Sequence, residues 1–342
     1  MSQYIAQLAV YMTCRDVDAQ IKLYTEYGFV VDSSFDAVES IPEEYHKARG
    51  ISSSDVVATK ALKLPADPYM RLVLTQFKAP KHGPSWPALY DQLGSRAHAF
   101  LVKSVDTELA RIKKDFPKVK ILHNPIAVQR GWGKTTSALM IDPYGVFFEI
   151  VEVDAGGSFF STGNAIPPPT EKAWLHFMLC SDDVKEQLPF YKSFGLFHDN
   201  RVDFREGIGF YPYDLDKFAK EHKDSMGMLM EDSKECFFLW DGKDPSTMHL
   251  ELLEYKPDTL QDPSLSANPN WQQRGIVRFC FRTPTKEKDL ERSRRCGHKI
   301  LIPHNTICVG WGDSEYYYFA DTDGNLLTSE EWHHWGYFGA KS

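Results

Sequence analysis

The sequence predicts an α+β chain built from four βαβββ modules. The first observation behind this is a long-range repeat. "LAVYMTCRDVDAQIKLYTEYGF", from Leu8, aligns with "LHFMLCSDDVKEQLPFYKSFGL", from Leu175, so that Asp16 and Asp183, Tyr24 and Tyr191, and Gly28 and Gly195 each lie 167 residues apart. The second is that the same strand-then-helix opening recurs inside each half, in "AHAFLVKSVDTELARIKKDF" and in "IVRFCFRTPTKEKDLERSRRCG". Repetition on this scale is stronger evidence for architecture than any one motif.

Each element has a local reason. The openings alternate apolar and polar residues with the period of a half-buried strand. An aspartate then starts an amphipathic helix, which stops at glycine (Gly28, Gly195), the residue that best adopts the left-handed turn after a helix. "RLVLTQF", "FFEIVEV", "HLELLEY" and "YYYFAD" with "NLLTSEEW" supply the remaining strands. "GWGKTTSALMIDPYG" at Gly131 matches "GWGDSEYYYFADTDG" at Gly310, an offset of 179 that Asp142 and Asp321 share. The change from 167 to 179 places a net insertion of 12 residues in the second half. The expected division is an N-terminal half, 1–154, with modules at about 1–80 and 95–154. A Gly/Pro-rich connector follows at 155–171, where "GG" and "PPP" disfavour regular backbone pairing. The C-terminal half is 172–342, with modules at about 172–256 and 275–335.

A chain of 342 residues has room for about two ordinary cores. Its net charge of -8 argues against nucleic acid and anionic membrane as partners. Six cysteines, at 14, 180, 236, 280, 296 and 308, form no CxxC pair and sit mostly in apolar runs, so free thiols in a reducing compartment are expected. The start of the chain has no basic segment and no long apolar run, and no stretch reaches membrane-spanning length. A cytoplasmic protein with a small-molecule partner is the expectation.

The module openings and the "DPxG…E" endings, above all "LPFYKSFGL" and "DPYGVFFEIVEV", resemble the vicinal oxygen chelate superfamily. That group contains glyoxalase I, extradiol dioxygenases and the bleomycin- and fosfomycin-resistance proteins. The resemblance covers nearly the whole chain outside the connector. It implies that modules pair into two half-open, barrel-like mixed sheets with helices on the outside. It also implies metal ligands at the start of each first strand and on each last strand. Those positions read Ala9 and Val73 in the first module, Ala97 and Glu149 in the second, His176 and Glu251 in the third, and Ile276 and Thr328 in the fourth. Ala97 departs from the His, Gln or Glu usual in the family.

A lone strand histidine is most simply structural, and a strand glutamate most simply faces solvent. Capacity concentrated in the middle two modules gives the sharper expectation. If the second module pairs with the third and the first with the fourth, Glu149, His176 and Glu251 meet in one site and the other site has no metal ligand. An imidazole with two carboxylates suits a divalent Zn, Fe, Mn or Ni ion. His249 lies two residues before Glu251 on the same strand face and is the spare ligand or acid/base candidate. His98, by alternation, faces away. The catalytic candidates are therefore Glu149, Glu251 and His249, and the metal candidates are His176, Glu251 and Glu149. Arg130 is a weaker candidate for an anionic substrate group, and Trp132 and Trp311, which recur at equivalent points of the repeat, are expected to pack rather than to stack on a ligand.

The resemblance implies a metal-dependent isomerase, lyase or epimerase acting on a small oxygenated substrate through a metal-stabilised enolate or enediolate, and the aromatic-rich composition permits an aromatic one. An extradiol ring-cleaving dioxygenase is the alternative, but the fourth module lacks the ligands that reading needs. A metal-free small-molecule binding or sequestering protein is the other alternative. The pocket between the first and fourth modules is expected to hold no catalytic metal and to be an apolar filler or a secondary ligand pocket. Four modules can complete both pairs within a monomer, and a homodimer is also compatible.

Overall fold

The computed structural model describes residues 6–38, 40–67, 69–79, 92–130, 133–153, 172–200, 233–244, 246–255, 271–310 and 312–334. The connector expected at 155–171 lies outside them, as do Trp132, Trp311 and the side chain of Arg130.

The four modules run in chain order. The first has β1 (Ala6–Cys14), α1 (Val17–Tyr27), β2 (Val30–Val31), β3 (Val56–Lys63) and β4 (Arg71–Phe77), with a short inserted α2 (Glu43–Lys47). The second has β5 (Gly94–Leu101), α3 (Val105–Asp115), β6 (Lys120–Ile121), β7 (Ile126–Arg130), β8 (Gly133–Ile141) and β9 (Phe147–Val153). The third has β10 (Ala173–Ser181), α4 (Val184–Ser193), β11 (Phe197–His198), β12 (Ser233–Trp240) and β13 (His249–Tyr255). The fourth has β14 (Gly275–Arg282), α5 (Lys286–Arg295), β15 (Lys299–Val309), β16 (Gly312–Ala320) and β17 (Leu326–His334).

The strands form two mixed sheets, ordered β15-β16-β17-β14-β1-β4-β3-β2 and β11-β12-β13-β10-β5-β9-β8-β6, with β7 pairing to β8. The first module therefore joins the fourth, through antiparallel β1 and β14, and the second joins the third, through β5 and β10. Sequential modules do not pair. This is the exchanged arrangement that the placement of ligand-capable residues favoured.

Within each module the first strand runs parallel to the last, and one recurring contact fixes that register. The first amide of each helix is an orphan donor, and a side chain of the last strand accepts from it. Val17 N donates to Gln76 Oε1 at 2.9 Å, Val105 N to Glu152 Oε2 at 2.9 Å, Val184 N to Glu254 Oε2 at 3.1 Å and Lys286 N to Glu331 Oε2 at 2.8 Å. Asp16, Ser104 and Asp183 add side-chain caps from the start of their own helices, whereas Thr285 makes no such bond. At the other end of α1, Gly28 has φ 117°, a conformation L side chains avoid, and closes the helix as the sequence predicts.

The helices lie outside each half-open sheet, and that layer is also where the two sheets meet. One continuous core contains Val10 and Met12 of β1, Phe100 of β5, Phe177 and Leu179 of β10, Phe279 of β14 and the inward residues of four helices. The opposite face of the second sheet carries a separate apolar lining, including Ala97, Ala99, Leu139, Val151, Met178 and Leu253. All six cysteines are free, and no helix among the described residues is long and apolar enough to cross a membrane.

Candidate metal centre at the seam of the second sheet

Every first strand carries a β-bulge at the same place. Leu8, Arg96, Leu175 and Val277 are each skipped in the central antiparallel pairing, and each stands eight residues before its helix cap. A bulge breaks the strict alternation and re-aims the following side chain. In β10, Trp174 and Phe177 pack into the shared core while Leu175 and Met178 line the open face. His176, just after the bulge, thus turns to the open face at the seam between the two modules.

Two carboxylates meet it there. His176 Nε2 lies 3.2 Å from Glu251 Oε2 of its own module and 3.3 Å from Glu149 Oε2 of the second module. Glu251 stands on β13, the parallel neighbour of β10. Glu149 stands on β9, with only Ala99 of β5 between its position and that of His176 in the register. The small Ala97 and Ala99 leave the space across which Glu149 reaches. The cluster is buried: His176 is 3% exposed and Glu251 8%. Phe238 stands edge-on to the imidazole at 5.2 Å, and the Cys236 thiol donates to Glu251 Oε1 at 3.3 Å.

The electrostatics follow from this placement. Burial alone would keep His176 neutral, but Glu149 and Glu251 together raise it to about 9. Burial likewise opposes ionisation of Glu149, yet His176 and a hydrogen bond from Ser137, with His123 further off, hold that carboxyl below its ordinary value. Neither nitrogen of His176 makes an aligned hydrogen bond, although Nε2 is within ion-pair distance of both carboxylates.

The donor types suit a divalent ion and each carboxylate stands at ligand-to-ligand distance from His176 Nε2, but the three donor atoms do not all fall within 4.8 Å of one another, so a shared ion would have to draw Glu149 and Glu251 together. Ligands bound at about 2.0–2.2 Å and roughly a right or tetrahedral angle apart sit about 3 Å from one another without hydrogen bonding. The off-axis contacts of 3.2 and 3.3 Å at Nε2 have that character. An imidazole nitrogen with two carboxylate oxygens is a borderline-to-hard set, and three protein ligands leave positions open for substrate. Among the described residues, the one trio whose ligand atoms all fall within 4.8 Å of each other lies elsewhere, at Glu287, His304 and Glu315. The Lys286 ammonium already occupies that trio, 2.7 Å from His304 Nδ1, 2.8 Å from Glu287 and 3.3 Å from Glu315. It is an exposed ion-pair network with its cation built in.

The other candidates are placed differently. His249 is the cross-strand neighbour of His176, but its Nε2 lies 3.0 Å from Asp199 Oδ2 and its ring stacks on Trp240. The structure thus turns it to Asp199 and does not add it to the trio. His98 faces the shared core, as alternation predicts, among Tyr24, Phe100, Phe148 and Trp174, and burial pushes it down to about 3. The reading of Ile276 as the fourth module's first-strand position is corrected. Ile276 packs into the shared core. Counted from the helix cap, Asp16, Ser104, Asp183 and Thr285, the equivalent residues seven positions earlier are Ala9, Ala97, His176 and Arg278. Cys236, Ser137 and His123 were not read as site residues from sequence, because the carboxylates they meet lie twelve or more residues away in the chain.

No known family profile matches the chain, and no curated protein sequence matches it. Solved structures do. Glyoxalase I from Zea mays superposes with a TM-score of 0.56 at 17% identity over 95% of this chain and 92% of that one. A mutant of the same plant enzyme gives 0.58 at 18% identity over 95% and 93%. A putative dioxygenase from Bacillus subtilis gives 0.55 at 10% identity over 100% and 90%. At these identities the likeness defines the fold. The chain has the fold of the vicinal oxygen chelate superfamily, with four modules in one chain.

Proposed function

We propose that the chain is a glyoxalase-like, metal-dependent isomerase, lyase or epimerase acting on a small oxygenated substrate. The single observation that carries this reading is the trio of buried His176, turned to the seam by a bulge, buried Glu251 and partly buried Glu149, drawn from two modules. Burying two carboxylates costs on the order of several kcal/mol each unless charge offsets it. A divalent Zn, Fe, Mn or Ni ion held by these residues would supply Lewis acidity to neighbouring substrate oxygens.

The chain's own residues do the rest. His176 and Glu251 would hold the ion from the third module, at the seam. Glu149, steadied by Ser137, reaches the same space from the second module. A carboxylate in this position takes a proton from a carbon beside a carbonyl and returns it to a neighbouring oxygen or carbon, so no net proton is consumed. The apolar lining of Leu139, Val151, Phe238 and Leu253 excludes water and suits a hydrophobic or aromatic substrate. Ring-cleaving chemistry is the weaker reading, because the fourth module has Arg278 and Thr328 where that reading needs a histidine and a glutamate.

The test is metal content after purification without chelators, alongside far-UV circular dichroism to show retained folding. His176→Ala, Glu251→Ala and Glu149→Ala should each lose the ion, whereas Thr328→Ala should keep it. Full metal content in His176→Ala would overturn the assignment.

A further inference from the structure

The open face of the first sheet uses the same frame as the second, with the opposite charge. Where the third module has His176 and Glu251, the fourth has Arg278 and Thr328, and Arg278 Nη1 donates to Thr328 Oγ1 at 3.0 Å. The first module contributes only Ala9 and Val73 at the matching positions, both buried. A fixed guanidinium therefore stands where the second sheet has its ligand imidazole. It repels a divalent ion and stays charged at any working pH.

Arg278 is 3% exposed. Its carboxylate neighbour, Glu330, is 3.9 Å away, well beyond the roughly 2.7–2.9 Å of a charge-assisted hydrogen bond. Glu330 is instead engaged by Tyr11, whose hydroxyl donates to Oε1 at 3.1 Å, and by Trp332, whose Nε1 donates to Oε2 at 3.2 Å. A second guanidinium, Arg49 of α2, sits 4.2 Å over the Tyr45 ring and 5.8 Å from that of Trp271. Other nearby charges close on themselves, Arg71 on Asp32 at 2.6 Å and Lys60 on Asp36 at 2.8 Å. The cleft thus holds two guanidiniums against one carboxylate. Its field shows at Tyr45: burial raises that phenol, yet Arg49 and Arg278 bring it below its ordinary value.

Between these groups lies a cavity of about 180 Å³ whose lining includes Tyr11, Tyr45, Arg49, Thr75, Trp271 and Arg278. It is smaller than the roughly 300–1,000 Å³ of a drug-sized site, so it takes one ring and not two. Arg278 stacks 3.4 Å from the Tyr11 ring centroid, which covers the guanidinium face and leaves its N–H edge for a planar acceptor. We propose that this cleft is a second, metal-independent binding site for a small aromatic carboxylate, with Arg278 receiving the carboxylate and the Tyr45 and Trp271 rings flanking the ligand ring.

The test is isothermal titration of the full chain with benzoate in excess chelator, which separates this site from any chemistry at His176. One saturable site is expected, with benzamide binding about tenfold more weakly because it forfeits the ionic hydrogen bonds. Arg278→Met should weaken benzoate about tenfold or more, and Arg49→Gln, at the rim, about threefold. His176→Ala should bind benzoate as the wild type does. Absence of saturable benzoate binding, equal affinity for benzamide, or loss in His176→Ala with retention in Arg278→Met would each overturn the proposal. If Arg278→Met fails to fold, the benzoate-to-benzamide ratio and Arg49→Gln decide it.

Discussion

The rings of Phe177 and Phe279 stack at 3.6 Å with an interplanar angle of 21°, joining the two sheets back to back. Each ring directly follows the residue its strand presents to the open face, His176 in one sheet and Arg278 in the other. The same stack thus anchors both functional strands from behind. Adjacent residues on a strand point to opposite faces, so the packing and the chemistry are set by neighbours in sequence.

Truncating this stack should cost stability and spare the site. Phe279→Ala is expected to lose about 3–5 kcal/mol of unfolding free energy in urea, the range for a buried aromatic. A double-mutant cycle with Phe177→Ala should show coupling of about 0.5–1.5 kcal/mol. Additive losses would mean that the rings pack independently.

His98 gives the protein an acid limb. Burial depresses its folded value from 6.5 to about 3, so the neutral ring contributes stability that is fully present above pH 6.5. That contribution is lost as pH falls from 6.5 toward 3, because the unfolded chain takes up the proton first. From pH 7 to 5 this amounts to about 2 kcal/mol at about 1.4 kcal/mol per pH unit. His98→Phe, matching the aromatic surroundings, should lose less stability over that interval by about that amount. An unchanged pH profile would show that His98 is not the group responsible.

The side chain that caps each helix from the last strand should matter more as an acceptor than as a charge. Glu254→Ala leaves the Val184 amide unpaired and should cost about 1–2 kcal/mol in thermal or chemical denaturation. Glu254→Gln keeps an acceptor oxygen, as Gln76 does in the first module, and should recover most of that loss. A Gln variant as unstable as the Ala variant would point to the charge instead.

The modules were legible because their signals are local: strand alternation, Asp16 and Asp183 at helix starts, Gly28 and Gly195 at helix ends. The pairing of modules has no local signal and could be read only from where Glu149, His176 and Glu251 fall. Arg278 was missed because the fourth opening was aligned on its apolar start, and its helix begins at Thr285, which makes no side-chain cap. Counting back from the helix start identifies it. The bulges at Leu175 and Val277 leave no mark in composition, since they arise from the antiparallel partner's register. His249 shares the face of Glu251 as alternation predicts, but Asp199, fifty residues away in the chain, engages its ring nitrogen.

The placement of the metal itself tests the account most directly. Crystals soaked with zinc or manganese and measured at the metal's absorption edge should show one anomalous peak per chain, touching Glu149, His176 and Glu251, and none beside Arg278. A peak in the first sheet's cleft, or one at His176 that leaves Glu149 unengaged, would contradict it.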